Sequence, residues 1–165
     1  MINTDAMLDP PSFRQVFSHY PAGVCVITAA GPSGEKVGFV VGTFNSVSLD
    51  PPLVGFFADR RSTSWAQIAQ IGTFCVNILS DDQHDLCKKF ASKGTDKFAG
   101  VSHRSSLRGA PVLDAVVAWC ECSLEAVHEA GDHFIAVGRV TQLAIEMGEA
   151  PLLFHRGELV SIAFS

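Results

Sequence analysis

The 165-residue sequence has none of the short motifs that identify the most familiar catalytic and nucleotide-binding sites. It lacks the G-x-S-x-G of many serine hydrolases and the H-E-x-x-H of zinc proteases. It also lacks the phosphate-binding G-x-x-x-x-G-K-S/T and the G-x-G-x-x-G that opens a Rossmann unit. His84 and Cys87 have metal-compatible spacing on a predicted helix, but no second pair follows, so we predict no metal site.

Positive charge and long apolar runs are also scarce. The chain has 12 Lys and Arg against 17 Asp and Glu, and no basic stripe, which argues against nucleic-acid binding. No apolar stretch approaches the ~20 residues that a membrane helix needs. Residues 1–13 have neither the basic region nor the apolar run of a secretory signal. We therefore expect a cytoplasmic protein with no membrane partner.

Cysteine is present but is not arranged for metal binding or for disulfides. The five residues form an odd, irregular set without a C-x-x-C pair. In a cytoplasmic protein such cysteines are expected to be small, buried apolar side chains. They are Cys25, Cys75, Cys87, Cys120 and Cys122.

What the sequence does contain is a large apolar fraction with many strand signals. Hydrophobic residues make up 47% and charged residues 18%, a balance that predicts a globular chain. The length fits one domain over residues 1–165, with residues 1–11 expected to form a flexible N-terminal segment. The strands are predicted at about 24–29, 37–41, 53–58, 73–79, 116–127, 134–143, 152–154 and 159–162.

Three short helices are predicted among these strands. Each follows a capping-box pattern, in which a serine is followed three residues later by glutamine. The pairs are Ser12 with Gln15, Ser64 with Gln67, and Ser80 with Gln83. Many strands, few helices and hairpin connections favour a mainly β (α+β) fold, an antiparallel barrel with peripheral helices.

Alternation within the strand at about 116–127 predicts one face in solvent and one face in the core. The residues expected in solvent are Glu121, Ser123 and Glu125, and those expected in the core are Cys120, Cys122 and Leu124.

Residues 38–55, GFVVGTFNSVSLDPPLVG, are the most informative part of the sequence. Small and polar residues follow a predicted strand before Asp50-Pro51-Pro52 forces an extended corner. Such a backbone can lie against a flat heterocycle and hydrogen-bond to its edge. The same composition is typical of a wide loop between strands, so the residues alone leave both interpretations open.

A second candidate site is the hydroxyl-rich segment Ser62, Thr63 and Ser64, which immediately precedes a predicted helix. The unpaired N–H groups and positive dipole end of a helix favour a phosphate there. Arg60 and Arg61 add positive charge nearby. A single serine that caps the helix explains the pattern equally well.

Lysines near the end of the third helix have two interpretations. Lys88 and Lys93 are expected to complement the helix dipole and aid solubility. Lys89, which precedes Phe90, is in a position to reach a phosphate from the side opposite the serines.

Two histidine-containing turns also have two interpretations. His133 follows Gly131-Asp132 between the two longest predicted strands, and His155-Arg156-Gly157 forms a second turn. Turn histidines are usually just exposed, and the functional alternative is a contact with a bound nicotinamide.

Taken in order along residues 13–162, these segments resemble the short-chain flavin reductases, the reductase components of two-component flavin monooxygenases. The most specific part is S-V-S-L-D-P-P-L-V at residues 46–54. The supporting motifs are P-A-G-V-C-V-I-T, R-S-T-S-W-A-Q-I, G-T-F-C-V-N-I-L, D-L-C-K-K-F-A, G-D-H-F-I-A-V-G-R-V and P-L-L-F-H-R-G.

The resemblance implies a split-barrel fold, a homodimer, and a site for FMN or FAD near the dimer interface. By position, one set of residues would line the flavin ring: Val41, Gly42, Thr43, Asn45, Ser46, Val47 and Ser48. A second set would hold the phosphate end: Ser62, Thr63, Ser64, Lys89 and Phe90. His133 and Arg156 would border the nicotinamide of NADH or NADPH, which would pass a hydride to the flavin.

The reduced flavin would be used in place or released to a separate monooxygenase. Two alternatives use the same ring-binding residues. One is an FMN-binding electron carrier or storage protein, and the other is a self-contained split-barrel flavin oxidase or oxygenase.

Overall fold

The computed structural model describes residues 8–94, 96–146 and 150–162. They form three helices and twelve strands, so the predicted mainly β class is confirmed. The helices are α1 (Pro10–Phe17), α2 (Thr63–Ile71) and α3 (His84–Ala91). The strands are β1 (Ala22–Gly23), β2 (Cys25–Ala30), β3 (Lys36–Val41), β4 (Asn45–Ser48), β5 (Leu53–Asp59), β6 (Thr73–Ile78), β7 (His103–Ser105), β8 (Pro111–Leu113), β9 (Ala118–Ala130), β10 (His133–Ile145), β11 (Leu152–His155) and β12 (Glu158–Ser161).

Seven strands form one antiparallel sheet in the order β3-β2-β6-β9-β10-β5-β4. Four strands lie between β3 and β5 in this sheet, and yet both of these strands pack on the same core. The sheet must therefore be strongly curved. The rings of Phe39 on β3 and Phe56 on β5 are 6.1 Å apart between centroids. Helix α2 closes this core with Trp65 and Ile68, which are both buried.

The remaining strands form two smaller sheets that cover the outside of the large one. Strands β1, β11 and β12 make a three-stranded sheet, and β7 pairs with β8. A second core includes the buried side chains of Leu79, Phe90, Leu113 and Leu152. Among the residues described, no helix has both the length and the apolar composition for a membrane span.

Helix α1 begins earlier than the capping pattern predicts. Asp9, rather than Ser12, is the N-cap, and its Oδ1 accepts a hydrogen bond of 2.7 Å from the Ser12 N–H. Pro10 and Pro11 form the first turn, where a missing N–H costs nothing. Of the segment 1–11 that was predicted to be flexible, Pro10 and Pro11 thus lie in a helix, and residues 1–7 lie outside the described residues.

The other two helix starts are also displaced. Ser62, rather than Ser64, caps α2, and its Oγ accepts a hydrogen bond of 3.1 Å from the Trp65 N–H. Ser80 does not start α3, because it pairs with Pro151 in a β-bridge and its hydroxyl donates to the Ala115 carbonyl. The helix then begins four residues later, at His84.

The prediction that Glu121 faces solvent is wrong, since this side chain is fully buried. The segment between β7 and β8 covers that face of β9. Glu121 Oε1 accepts hydrogen bonds from the Ser106 hydroxyl and from the Arg108 N–H, the latter at 3.1 Å. A polar residue in an alternating strand is therefore buried here by a distant part of the chain.

The composition of the segment 45–48 is also typical of a wide loop, but the segment forms the short edge strand β4. It pairs with β5 from Asn45 opposite Gly55 to Ser48 opposite Leu53. The predicted corner follows it, with a cis peptide bond between Asp50 and Pro51.

Candidate functional site

Two adjoining cavities open beside the ends of β3 and β5. The larger has a volume of about 1130 Å³ and the smaller about 380 Å³. Phe39, Val40, Asp59 and Ser62 line both, so the two volumes form one continuous groove. Small-molecule sites commonly occupy roughly 300–1,000 Å³, so the groove is large enough for an extended ligand.

The smaller cavity lies against the backbone at the end of β3. Val41, Gly42 and Thr43 form one wall, with Phe57 and His133 around them. The Thr43 Oγ1 accepts a hydrogen bond of 2.8 Å from the Phe57 N–H, which fixes this segment against β5. A glycine between two short residues leaves the backbone accessible, and this wall can therefore contact a flat ring closely.

His133 is the first residue of β10 and lies opposite Asp59 of β5. Its Nδ1 is 2.7 Å from Asp132 Oδ1, and this hydrogen bond from the imidazole holds the pKa of Asp132 below its usual range. When the proton is on Nδ1, Nε2 is the ring nitrogen that a ligand in the cavity can use.

Asp59 and Arg61 form an ion pair beside the two cavities. Asp59 lines both of them, and Arg61 lines the larger one. The Arg61 guanidinium donates from Nε and Nη2 to the two Asp59 oxygens at 3.1 and 2.9 Å, and its N–H donates at 2.8 Å. These bonds lower the pKa of Asp59 far below that of an ordinary aspartate. The carboxylate is thereby neutralised in a place where it would otherwise repel an anion.

The start of α2 forms part of the lining of the larger cavity. Ser62 is the N-cap, and Thr63 and Ser64 begin the helix. The N–H groups of this first turn have no partners within the helix. This part of the cavity lining therefore favours a negatively charged ligand.

The end of α3 and the segment after it also line this cavity, with Phe90, Lys93 and Lys97 among the lining residues. The predicted Lys89 does not line this cavity, because its Nζ donates to the Ala99 carbonyl. Lys97 instead lines it, and its Nζ donates to the carbonyls of Phe90 at 2.9 Å and Gly38 at 3.3 Å.

The structure therefore brings most of the predicted residues together. Those on the groove are Val41, Gly42, Thr43, Ser62, Thr63, Ser64, Phe90 and His133. Those off both cavities are Asn45, Ser46, Val47 and Ser48 on the edge strand β4, together with Lys89 and Arg156. Arg156 lies in the β11–β12 turn, where its N–H donates to the Ser18 carbonyl at 2.8 Å.

Three further residues line the groove but were not predicted from the sequence: Phe57, Asp59 and Lys97. Asp59 had a detectable signal, because an acidic residue directly before two arginines at the end of a strand can pair with one of them. Lys97 had none, since its position depends on the path of the chain after α3.

Comparisons with known proteins agree with this geometry. Residues 17–163 match the family model described as a flavin reductase like domain. The chain belongs to this family. A flavin reductase of Pseudomonas putida is 53% identical over 150 residues, which cover 91% of this chain and 88% of that protein.

Two further relatives are similar over most of their length. The reductase subunit HsaB of a flavin-dependent monooxygenase from Rhodococcus jostii is 44% identical, over 94% of this chain and 79% of that protein. The solved structure of the NADH:FAD oxidoreductase SgcE6 of Streptomyces globisporus, in complex with NAD and FAD fragments, has a TM-score of 0.89 and 31% identity. That alignment covers 94% of this chain and 93% of the other. The resemblance inferred from the sequence is thus confirmed at the level of the family.

Proposed function

We propose that this protein is a flavin reductase that transfers a hydride from NADH or NADPH to FMN or FAD and supplies the reduced flavin to a partner monooxygenase. The observation that carries the proposal is the continuous groove beside β3 and β5. One part offers a backbone-lined wall for a ring, and the other offers hydroxyls, a helix start and cations for a phosphate tail.

The residues of this chain fit a flavin nucleotide. The wall formed by Val41, Gly42 and Thr43 would contact the ring, while Thr63 and Ser64 would bind the phosphate through hydroxyls and helix N–H groups. When bound, the flavin supplies the hydride-accepting ring, and the protein supplies orientation. We keep Asn45 to Ser48 as a proposed part of the ring site, because β4 follows Thr43 almost directly.

His133 would border the nicotinamide at the open side of the smaller cavity. Asp132 accepts a hydrogen bond from Nδ1–H and holds the imidazole in one orientation. Nε2 would then accept a hydrogen bond from the carboxamide of NADH or NADPH. Hydride transfer between two rings requires no acid or base, so we assign His133 a positioning role in nicotinamide binding. Arg156 remains a proposed contact of the same nucleotide.

We further propose that the curved seven-stranded sheet is a split barrel and that two copies of the chain form a homodimer. The contact between Phe39 and Phe56 across the sheet supports the first proposal. Large apolar side chains exposed on β10, including Leu143 and Ile145, support the second. All five cysteines are free thiols, which agrees with a reducing cytoplasmic location.

The decisive experiment mixes the purified protein with FMN or FAD and with NADH or NADPH and follows absorbance at 340 nm. We expect nucleotide oxidation that requires flavin and saturates with it. Flavin binding without oxidation of either nucleotide would instead identify a carrier or storage protein. Heat-released flavin is a second measurement, and little bound flavin is expected if the reduced flavin is passed to a monooxygenase.

A further inference from the structure

The turn that precedes His133 lies at the end of a long hairpin. Strands β9 and β10 have 13 residues each and pair as far as Ala130 opposite His133, so that Gly131 and Asp132 form the turn. Gly131 has a φ of 63°, a left-handed conformation that favours glycine. Residues 127–132 are all exposed. Burial in the core therefore does not hold this turn, and the position of His133 depends on contacts from a neighbouring element.

Arg60 provides such contacts from the neighbouring strand. It directly follows β5, which pairs with β10 as far as Asp59 opposite His133. The Arg60 N–H donates to the Asp132 carbonyl at 3.1 Å, and its Nη1 donates to the Gly131 carbonyl at 3.3 Å. Both carbonyls of the turn thus accept hydrogen bonds from this one residue.

The guanidinium of Arg60 also contacts the hairpin on both sides of the turn. Before the turn, Nη2 donates to Glu129 Oε1 at 3.3 Å. After the turn, Cζ lies 5.0 Å from the centroid of the Phe134 ring, a distance at which the cation and the ring attract each other. Phe134 packs against the main core. Arg60 therefore links the exposed turn to a part of the hairpin that the core holds in place.

Arg60 is placed to act on the groove from outside it. Among the described lining residues of the two cavities, His133 belongs to the smaller one and Arg60 to neither. The next residue, Arg61, donates to Asp59 instead, so the two consecutive arginines have different partners. We therefore expect an effect of the Arg60 side chain on a ligand in the smaller cavity to pass through the turn and His133.

From these contacts we infer that Arg60 is a positioning residue for the nicotinamide nucleotide, which holds the turn so that His133 stays directed at the smaller cavity. This inference rests on the proposed function and adds a residue that sets how well the nucleotide binds. Without the side chain, the Gly131 carbonyl would lose this donor and Glu129 its counter-ion. The turn would then sample more orientations, and ordering it would cost binding free energy.

Steady-state kinetics of the full-length protein test this inference, with the flavin saturating and the nicotinamide nucleotide varied. Arg60→Ala should lower kcat/KM for the nucleotide roughly threefold to tenfold, about the value of one hydrogen bond, mainly through a higher KM. The dissociation constant of the flavin, measured by titration, should stay almost unchanged. Arg60→Lys keeps a positive charge near Glu129 but lacks the planar fork that also reaches Gly131, so it should recover part of the loss.

A double variant separates positioning from a general loss of structure. In the His133→Ala background the imidazole that the turn holds is absent, so Arg60→Ala should lower kcat/KM little further. Circular dichroism should show all variants folded.

Arg104→Ala is the matched control. Arg104 also pairs with a glutamate, Glu146, and its guanidinium also lies over an aromatic ring, that of Trp119. It is on β7 and is not among the described lining residues of either cavity. The Arg104→Ala protein should therefore have the kcat/KM of the wild type.

Two results would overturn the inference while the flavin reductase proposal stood. One is an equal loss of kcat/KM in Arg60→Ala and Arg104→Ala, and the other is a loss in Arg60→Ala that adds fully to that of His133→Ala. A wild-type protein that oxidises neither NADH nor NADPH in the presence of flavin would reject the proposed function itself.

Discussion

At the scale of single residues, the proposed role of His133 predicts different effects on the two nucleotides. It lines the smaller cavity, where the flavin ring would lie, but not the larger cavity, whose hydroxyls and lysines would hold the flavin phosphate. His133→Ala should lower kcat/KM for the nicotinamide nucleotide roughly tenfold, the value of about one hydrogen bond, with a much smaller effect on flavin affinity. Steady-state kinetics and flavin titration measure the two effects. Equal losses of both would contradict the assignment.

In the proposed site, Asp132 would act through His133 and not on the ligand directly. Its carboxylate accepts from Nδ1 at 2.7 Å and so fixes the orientation of the imidazole. Asp132→Asn should therefore lower kcat/KM several-fold, by less than His133→Ala does. In the double variant the imidazole that Asp132 orients is absent, so Asp132→Asn should lower kcat/KM no further than His133→Ala does alone. The losses in kcat/KM should therefore not add.

The matched control for Asp132 is Asp85→Asn, another exposed aspartate, which lies on α3 and pairs with Lys88. Its kinetics should equal those of the wild type. Additive effects of the Asp132 and His133 changes would show that Asp132 acts independently of the imidazole.

The pair Asp59 and Arg61 gives a pH-dependent prediction. Hydrogen bonds from Arg61 lower the folded-state pKa of Asp59, so the pair stabilises the protein above the ordinary aspartate pKa and this contribution is lost as pH falls below it. Arg61→Gln should return the Asp59 pKa toward its ordinary value, measured by NMR titration of the carboxyl. Arg60→Gln is the control, because Arg60 contacts Glu129 and the Gly131 carbonyl instead.

At the scale of secondary-structure elements, the central hairpin depends on one close approach. Gly138 of β10 lies directly against Phe74 and Cys122, and a Cβ there would be 2.6 Å from the Phe74 ring and 3.0 Å from the Cys122 Cβ. Gly138→Ala should lower the free energy of unfolding by about 1–3 kcal/mol, since a packed core does not accommodate extra volume.

Urea denaturation measures this effect, and Gly23→Ala provides the comparison. Gly23 is also in a strand, but no atom lies within 4 Å of an added Cβ. Its substitution should change stability by less than about 0.5 kcal/mol. Similar losses at both glycines would mean that strand propensity, not the contact with Phe74, decides the outcome.

The same hairpin shows which elements can be predicted from the sequence. Long runs of β-branched and alternating residues identified both of its strands, because their pattern is local. The burial of Glu121 could not be predicted, since it depends on Ser106 and Arg108 in a segment that crosses the sheet from outside.

The residues that line the groove divide in the same way. Ser62 to Ser64 could be placed there from the sequence because a helix start has a local signal. Lys97 lines the groove and Lys89 does not, and this could not be predicted, because the rotation of α3 and the path of the chain beyond it decide which lysine faces the groove.

At the scale of the whole molecule, the single chain leaves several large apolar side chains exposed to solvent. Leu143 and Ile145 on β10 are 70% and 82% exposed, and they lie opposite Cys120 and Ala118 of β9. Further exposed apolar side chains include Phe13, Val16, Phe17 and Tyr20 on and after α1. Surfaces of this kind in a soluble protein usually mark an interface with another chain.

We therefore expect Leu143→Asp to convert the proposed homodimer into a monomer, because a carboxylate at the interface would be desolvated without a partner. Light scattering after size-exclusion chromatography measures the mass at several protein concentrations. Leu107→Asp is the matched control, since Leu107 is 81% exposed but lies in the loop between β7 and β8 rather than on β10. Circular dichroism should show both variants folded. A Leu143→Asp protein that remains dimeric would place the interface elsewhere, with the apolar face of α1 as the next surface to test.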